Sequence, residues 1–281
     1  MYTSGNLELL ANEHGTCSLF CVHTVTGQVS CYRSLANAMV PSVQVLGIRA
    51  SDLKTARSQS TSVQRLAQEY LSEIERIDPP RPYHFLGWST GGFIAWEMAR
   101  SYRSLHPASS AMTKLFLIES RLFMQPQAPN RRIFYLPQEQ RFWVVFTSVL
   151  LSWEDRAMLS PTHPFWTLSD FDKISNIIER LKHGDSKSRF WVTQSRSSIE
   201  RYLRFFEMQW DAMCIDFWPN LYAGDVVYVT PTETDTPEAC DDWRPFVSGK
   251  LAVVGVAGTH SSVLHIPNVS ILAAELMRHI A

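Results

Sequence analysis

The chain lacks several features, and each absence removes a class of function. No stretch reaches the roughly 18 uninterrupted apolar residues that a membrane-spanning helix needs. The opening residues MYTSGNLELLANEHG carry no basic segment followed by an apolar one, so no secretory leader is read there and a cytoplasmic protein is expected. Charge of one sign is also missing. With 26 basic and 27 acidic residues and a formal net charge of -1, there is no basic excess to draw nucleic acid or an anionic lipid surface. Cysteine is scarce and odd in number, at five. Cys17 and Cys21 have no second pair at zinc-site spacing, so no metal is expected. Cys21 sits in an apolar run and reads as a small core residue.

What is present suits one large globular core. Apolar residues make up 45% of 281, which is enough for a single α/β domain. Short apolar runs at 18–22, 42–48, 83–86, 114–118, 226–230 and 251–256 read as strands. Helical spacing appears between them, at 63–77 with Val63, Leu66, Tyr70, Leu71 and Ile74, at 93–102, and at 269–280. Asp78-Pro79-Pro80 stops the helix before it, because proline cannot continue a helix and restrains the residue it follows. Strands alternating with helices predict an α/β fold whose mainly parallel sheet is covered on both faces. The block 121–221 differs, being helical in pattern and rich in aromatics such as Phe142, Trp143, Phe146, Tyr202, Phe206 and Trp210. It reads as a helical lid insertion between a first core segment, 1–120, and a second, 222–281. Most of its aromatics are expected to fill the insertion's own core.

The strongest local signal is Gly87-Trp88-Ser89-Thr90-Gly91, a G-x-S-x-G placed between a strand and a helix. That is the context of a nucleophile elbow. Serine must stand on a sharp, strained bend, and Gly87 and Gly91 remove side chains that would collide with strand and helix. A serine hydroxyl needs a base. In this architecture the base comes late in the chain, after the last strand, which points to His260 in Ala257-Gly258-Thr259-His260. His265 competes from five residues on. The imidazole in turn needs a carboxylate to orient it. Glu119 stands directly at a strand end; Asp235 lies deeper in a loop, two residues after Glu233. Rigid placement favours Glu119, with Asp235 as the alternative acid. Two main-chain N–H groups must hold the oxyanion. Thr90 follows the nucleophile, and Val25 lies in the turn after an early strand, so both are candidates by position.

These pieces resemble the type I thioesterase domains that terminate nonribosomal peptide and related polyketide synthetases, members of the α/β-hydrolase superfamily. SLFCVHTVTGQVSCYRSLA, YHFLGWSTGGFIAWEMA, LFLIES and VAGTHSSVLHIPNVSILAAEL carry the likeness, and WPNLYAGDVVYVTPTE resembles the return from lid to sheet. The resemblance implies a chain-releasing thioesterase. It would take a peptidyl or acyl chain from the phosphopantetheine arm of a carrier protein onto Ser89 and release it by hydrolysis or cyclisation, with no cofactor of its own. The family usually has Asp after the LFLI-type strand, where this chain has Glu119. Two neighbouring readings share the same serine and histidine: a standalone editing thioesterase and a small-molecule serine esterase. A third is a catalytically inactive hydrolase-fold binding module.

Overall fold

Six-residue runs that are buried throughout, CSLFCV and VQVLGI, form β3 (Cys17–Val22) and β4 (Val43–Ile48) at the centre of one sheet. Such runs suit strands covered on both faces, where alternation is lost. The computed structural model describes residues 3–50, 62–122, 137–150, 162–183, 193–234 and 237–280. Among them lie β5 (Tyr83–Trp88), β6 (Leu115–Ile118), β7 (Val226–Pro231) and β8 (Leu251–Val256), all parallel to β3 and β4. The order across the sheet is β1-β2-β4-β3-β5-β6-β7-β8. The first two strands, β1 (Thr3–Ser4) and β2 (Leu7–Ala11), are antiparallel and were not read from the sequence. The β2 sequence LELLA includes a charge and is only partly buried, as expected near an edge.

The helices of this unit are α1 (Arg33–Ala38), α2 (Val63–Ile77), α3 (Gly91–Leu105) and, at the end, α7 (Asn268–Ile280). Ser62 caps α2, its side chain accepting from the Arg65 N–H at 3.2 Å. Helix α3 begins at Gly91, two residues before the expected start, because the elbow turn runs straight into it. One face of the sheet packs Leu19, Cys21, Leu86 and Phe116 against Leu35, Leu272 and Leu276. On the other, Phe20, Tyr83, Phe85 and Tyr102 stack edge and face. Cys21 is fully buried and unbonded, as a small core residue.

Two compact units divide the chain. Residues 1–125 and 211–281 make the sheet unit, and residues 126–210 make the second. The second contains α4 (Gln138–Leu150), α5 (Asp170–Lys182) and α6 (Arg196–Trp210). Phe142, Phe146, Phe206 and Trp210 pack on one another there. Lys173 is buried, held by Glu139 and Asp170 at 3.0 and 3.1 Å and lying over the Trp143 ring. No described helix is long and apolar enough to cross a membrane.

Candidate active site

Strand order reverses between β3 and β5: the chain crosses to β4 on one side and to β5 on the other. Open α/β sheets bind ligands outside the carboxyl ends of the strands at such a reversal, because successive loops part there. The ends of β3, β5, β6 and β8 therefore define the place where chemistry can be built.

Ser89 follows β5 with φ of +55°. A non-glycine residue in the left-handed region carries strain and persists only where its surroundings hold it. Here they do: its N–H donates to Ile118 O at 3.0 Å, and its C=O accepts from Gly92 N–H at 3.1 Å. The flanking glycines are required by space. A Cβ on Gly87 would sit 2.3 Å from backbone atoms of Gly91 and Gly92, and one on Gly91 would lie 2.6 Å from Val22 O. The N–H of Thr90 belongs to the first turn of α3, whose amides have no carbonyl four residues back and face the helix end.

Glu119 follows β6 and also has a positive φ, +40°. Its N–H is fixed to Val229 O at 2.9 Å, so the neighbouring strand sets its posture. The side chain is 1% exposed. One oxygen lies 2.8 Å from His260 Nδ1; the other contacts the Arg121 guanidinium and the Thr234 hydroxyl. Burial pushes this carboxyl up, yet the hydrogen bond and charge of His260, the charge of Arg121 and the Thr234 hydroxyl outweigh it and hold it down at about 2. Glu119 is thus a carboxylate at any ordinary pH.

His260 rides the loop after β8. Gly258 makes the turn at φ of +110°, and Ser262 Oγ accepts the Thr259 N–H at 2.8 Å. Trp88 anchors that loop to the elbow: its indole N–H donates to His260 O at 3.0 Å, and its ring centroid is 5.0 Å from the imidazole. The imidazole therefore stands against the residue that precedes Ser89. His265, the competitor, closes the short turn after His260, where its N–H donates to Ser262 O at 3.0 Å. Asp235, the alternative acid, lies outside the described residues. Two residues before it, Glu233 N–H donates to Gly258 O at 2.9 Å.

The turn after β3 is bound tightly. Buried His23 holds Thr24 O through Nδ1 at 2.7 Å and the Tyr70 hydroxyl through Nε2 at 2.8 Å. Burial brings this imidazole down to about 4, so it is neutral and structural. The Val25 N–H, expected as an oxyanion donor, donates to the Thr90 hydroxyl at 2.8 Å. That tie draws the two candidate donor loops together through a side chain. Sequence reasoning missed it, together with Arg121 and Thr234 as partners of the acid. The only available signals were Arg two residues after Glu119, and threonines in TPTET.

A model of the thioesterase domain matches residues 17–132, which span β3 to the segment after Glu119. The matched segment belongs to the thioesterase-domain family. Among curated relatives, malpibaldin synthetase of Mortierella alpina is 40% identical over 248 residues, covering 86% of this chain and 4% of that protein. The dimodular nonribosomal peptide synthase of Bacillus subtilis (strain 168) is 27% identical over 248 residues, covering 87% of this chain and 10% of that protein. The thioesterase thus spans only a small part of the length of these relatives. Its fold matches that of a four-domain nonribosomal peptide synthetase, holo-AB3403, at a TM-score of 0.77 and 18% identity, covering 98% of this chain and 20% of that one. It also matches the Vlm2 thioesterase domain bound with a dodecadepsipeptide, at a TM-score of 0.66 and 15% identity, covering 98% of each.

Proposed function

We propose that this domain releases an acyl or peptidyl chain from the phosphopantetheine thioester of a carrier-protein partner, acting in the cytoplasm. The observation that carries the reading is the His260–Glu119 pair, 2.8 Å apart and packed against an elbow whose serine sits at φ of +55°. Neither feature is needed for packing, and together they supply base, orienting carboxylate and nucleophile.

In the reaction the Ser89 hydroxyl adds to the thioester carbonyl while His260 Nε2 takes its proton. Glu119 stabilises the imidazolium through Nδ1–H. The oxyanion is held by the N–H groups of Thr90 and Val25, the latter sharing its hydrogen with the Thr90 hydroxyl. Collapse breaks the C–S bond, and the imidazolium protonates the departing thiolate. An ester on Ser89 remains. Water, or an amine or hydroxyl of the bound chain, then adds to it with His260 again accepting the proton; collapse returns the proton to Ser89. Hydrolysis gives the linear acid and internal attack a ring. By its place in the chain between two sheet strands, the second unit is assigned the lid.

Intact-mass spectrometry with a carrier-bound acyl thioester tests the reading. The wild type should gain the mass of the acyl group, and Ser89→Ala and His260→Ala should not. An acyl adduct that persists on Ser89→Ala would place the nucleophile elsewhere.

A further inference from the structure

The crevice between the two proposed oxyanion donors has a definite floor, and one side chain forms it. The β3–β5 ladder pairs Ser18 with Tyr83 at one end and Val22 with Gly87 at the other. Ser18 N–H donates to Pro82 O at 3.1 Å, so alternate residues Ser18, Phe20 and Val22 turn their polar groups toward β5. The last rung therefore sets Val22 C=O against Trp88 N–H. Beyond it the chains turn to opposite neighbours. His23 N–H goes to Ile48 O and Ser89 N–H to Ile118 O, each at 3.0 Å.

At that last rung the Tyr32 hydroxyl bonds both strands. It accepts the Trp88 N–H at 3.0 Å and donates to Val22 O at 2.8 Å. The residue is fully buried, on the short turn (Ser30–Tyr32) that leads into α1. Burial raises the phenol well above its ordinary value, so it stays a neutral hydroxyl with one proton to give and lone pairs to accept. One residue beyond each end of this clamp stand His23 and Ser89. Further on, the Val25 N–H to Thr90 Oγ1 bond at 2.8 Å ties the crevice a second time. The two ties bracket the main chain that would present both donors to the oxyanion.

We propose that Tyr32 is a positioning residue for the oxyanion site. Its hydroxyl fixes where β3 and β5 part, and so sets the separation of the Val25 and Thr90 amides. The ring would pack equally well as phenylalanine; the hydroxyl is what joins the strands. This rests on the reading of Ser89 as the nucleophile. Tetrahedral intermediates form in both acylation and deacylation, so a mispositioned crevice slows both steps while leaving ground-state binding alone.

The test is Tyr32→Phe in the full chain, with Tyr83→Phe as control. Tyr83 is another buried tyrosine of this unit, but its hydroxyl bonds Asp78 at the far end of β5. Rates of fluorophosphonate labelling, thioester acylation and deacylation are measured with KM. A displacement of about 1 Å at such a site costs up to about 100-fold. Tyr32→Phe should lose about 10- to 100-fold in all three rates with KM within about twofold, while Tyr83→Phe stays near wild type. Unchanged rates in a labelled, folded Tyr32→Phe overturn the proposal, as does a rise in KM with kcat intact. A loss shared equally by Tyr83→Phe also overturns it. Should stability confuse the comparison, the double variant Tyr32→Phe/Thr90→Val decides. Two ties on one crevice give losses that do not multiply, and multiplying losses overturn it. A wild type that takes no label sinks the Ser89 reading, and this proposal with it.

Discussion

Replacing Glu119 with glutamine removes one charge and keeps the shape, and its effect can be worked from the contacts. The carboxylate meets His260 Nδ1 at 2.8 Å and is almost wholly shielded from water. With charge centres about 4 Å apart and an effective dielectric constant of about 20, an imidazolium and a carboxylate attract by about 4 kcal/mol. That is close to three decades in rate if the imidazolium forms in the transition state. Geometry adds a second loss. Arg121 and Thr234 both donate to the outer oxygen of Glu119. In Glu119→Gln they hold the amide oxygen and turn its NH2 group toward His260. Nδ1 must then accept, which puts the proton on Nε2, the nitrogen required to take one from Ser89. In serine triads a wrong tautomer costs about four decades. The expected fall in the acylation rate is therefore about 10³- to 10⁴-fold. Stopped-flow acylation with a carrier-bound or small thioester reads it directly, with circular dichroism to verify the fold. A folded Glu119→Gln within about tenfold of wild type would refute the account. It would turn attention to Asp235.

Other substitutions test the framework around that site. Gly87→Ala should give insoluble or unfolded protein in expression and thermal-melt assays, because its Cβ would strike the backbone of Gly91 and Gly92 at 2.3 Å, where no side chain can move aside. Thr90→Val should lower stability by about 1–3 kcal/mol in urea titration, since the buried Val25 N–H loses its acceptor at 2.8 Å. Acid should act through Glu119 in a defined window. Its folded value near 2 lies below its ordinary 4.5, so its ionised form contributes stability above pH 4.5 that is lost as pH falls toward 2. The stability gap between wild type and Glu119→Gln should accordingly shrink by about 3 kcal/mol between pH 5 and pH 2 in denaturant titrations.

The central sheet was readable because parallel strands buried on both faces must be apolar from end to end, as CSLFCV and VQVLGI are. The first hairpin was not. Its second strand is half-exposed and mixes a charge with leucines, and its first is two residues long, too short for any period. The elbow was legible since sterics demand glycine at Gly87 and Gly91 whatever surrounds them. Placing a carboxylate on His260 required tertiary knowledge. Glu119 and Asp235 follow adjacent parallel strands, and nothing local says which one the histidine loop will meet. Strand-end rigidity favoured Glu119, and that side chain lies on the imidazole. The ties made by Tyr32 and Thr90 left no trace in the sequence, because a hydroxyl aimed at a main-chain group obeys no spacing rule.

Ser89 and Glu119 are neighbours across two adjoining strand ends, and each carries a side chain on a posture natural to glycine. Selection for durability alone would relax the bend at Ser89 by discarding its side chain, whereas the partners of Glu119 offset the strain of its own bend. A screen that rewards only heat resistance should therefore drift toward glycine at position 89 alone and yield a sturdier domain that lacks its proposed nucleophile. A serine on that bend holds the fold somewhat short of its best endurance for the sake of the proposed reaction.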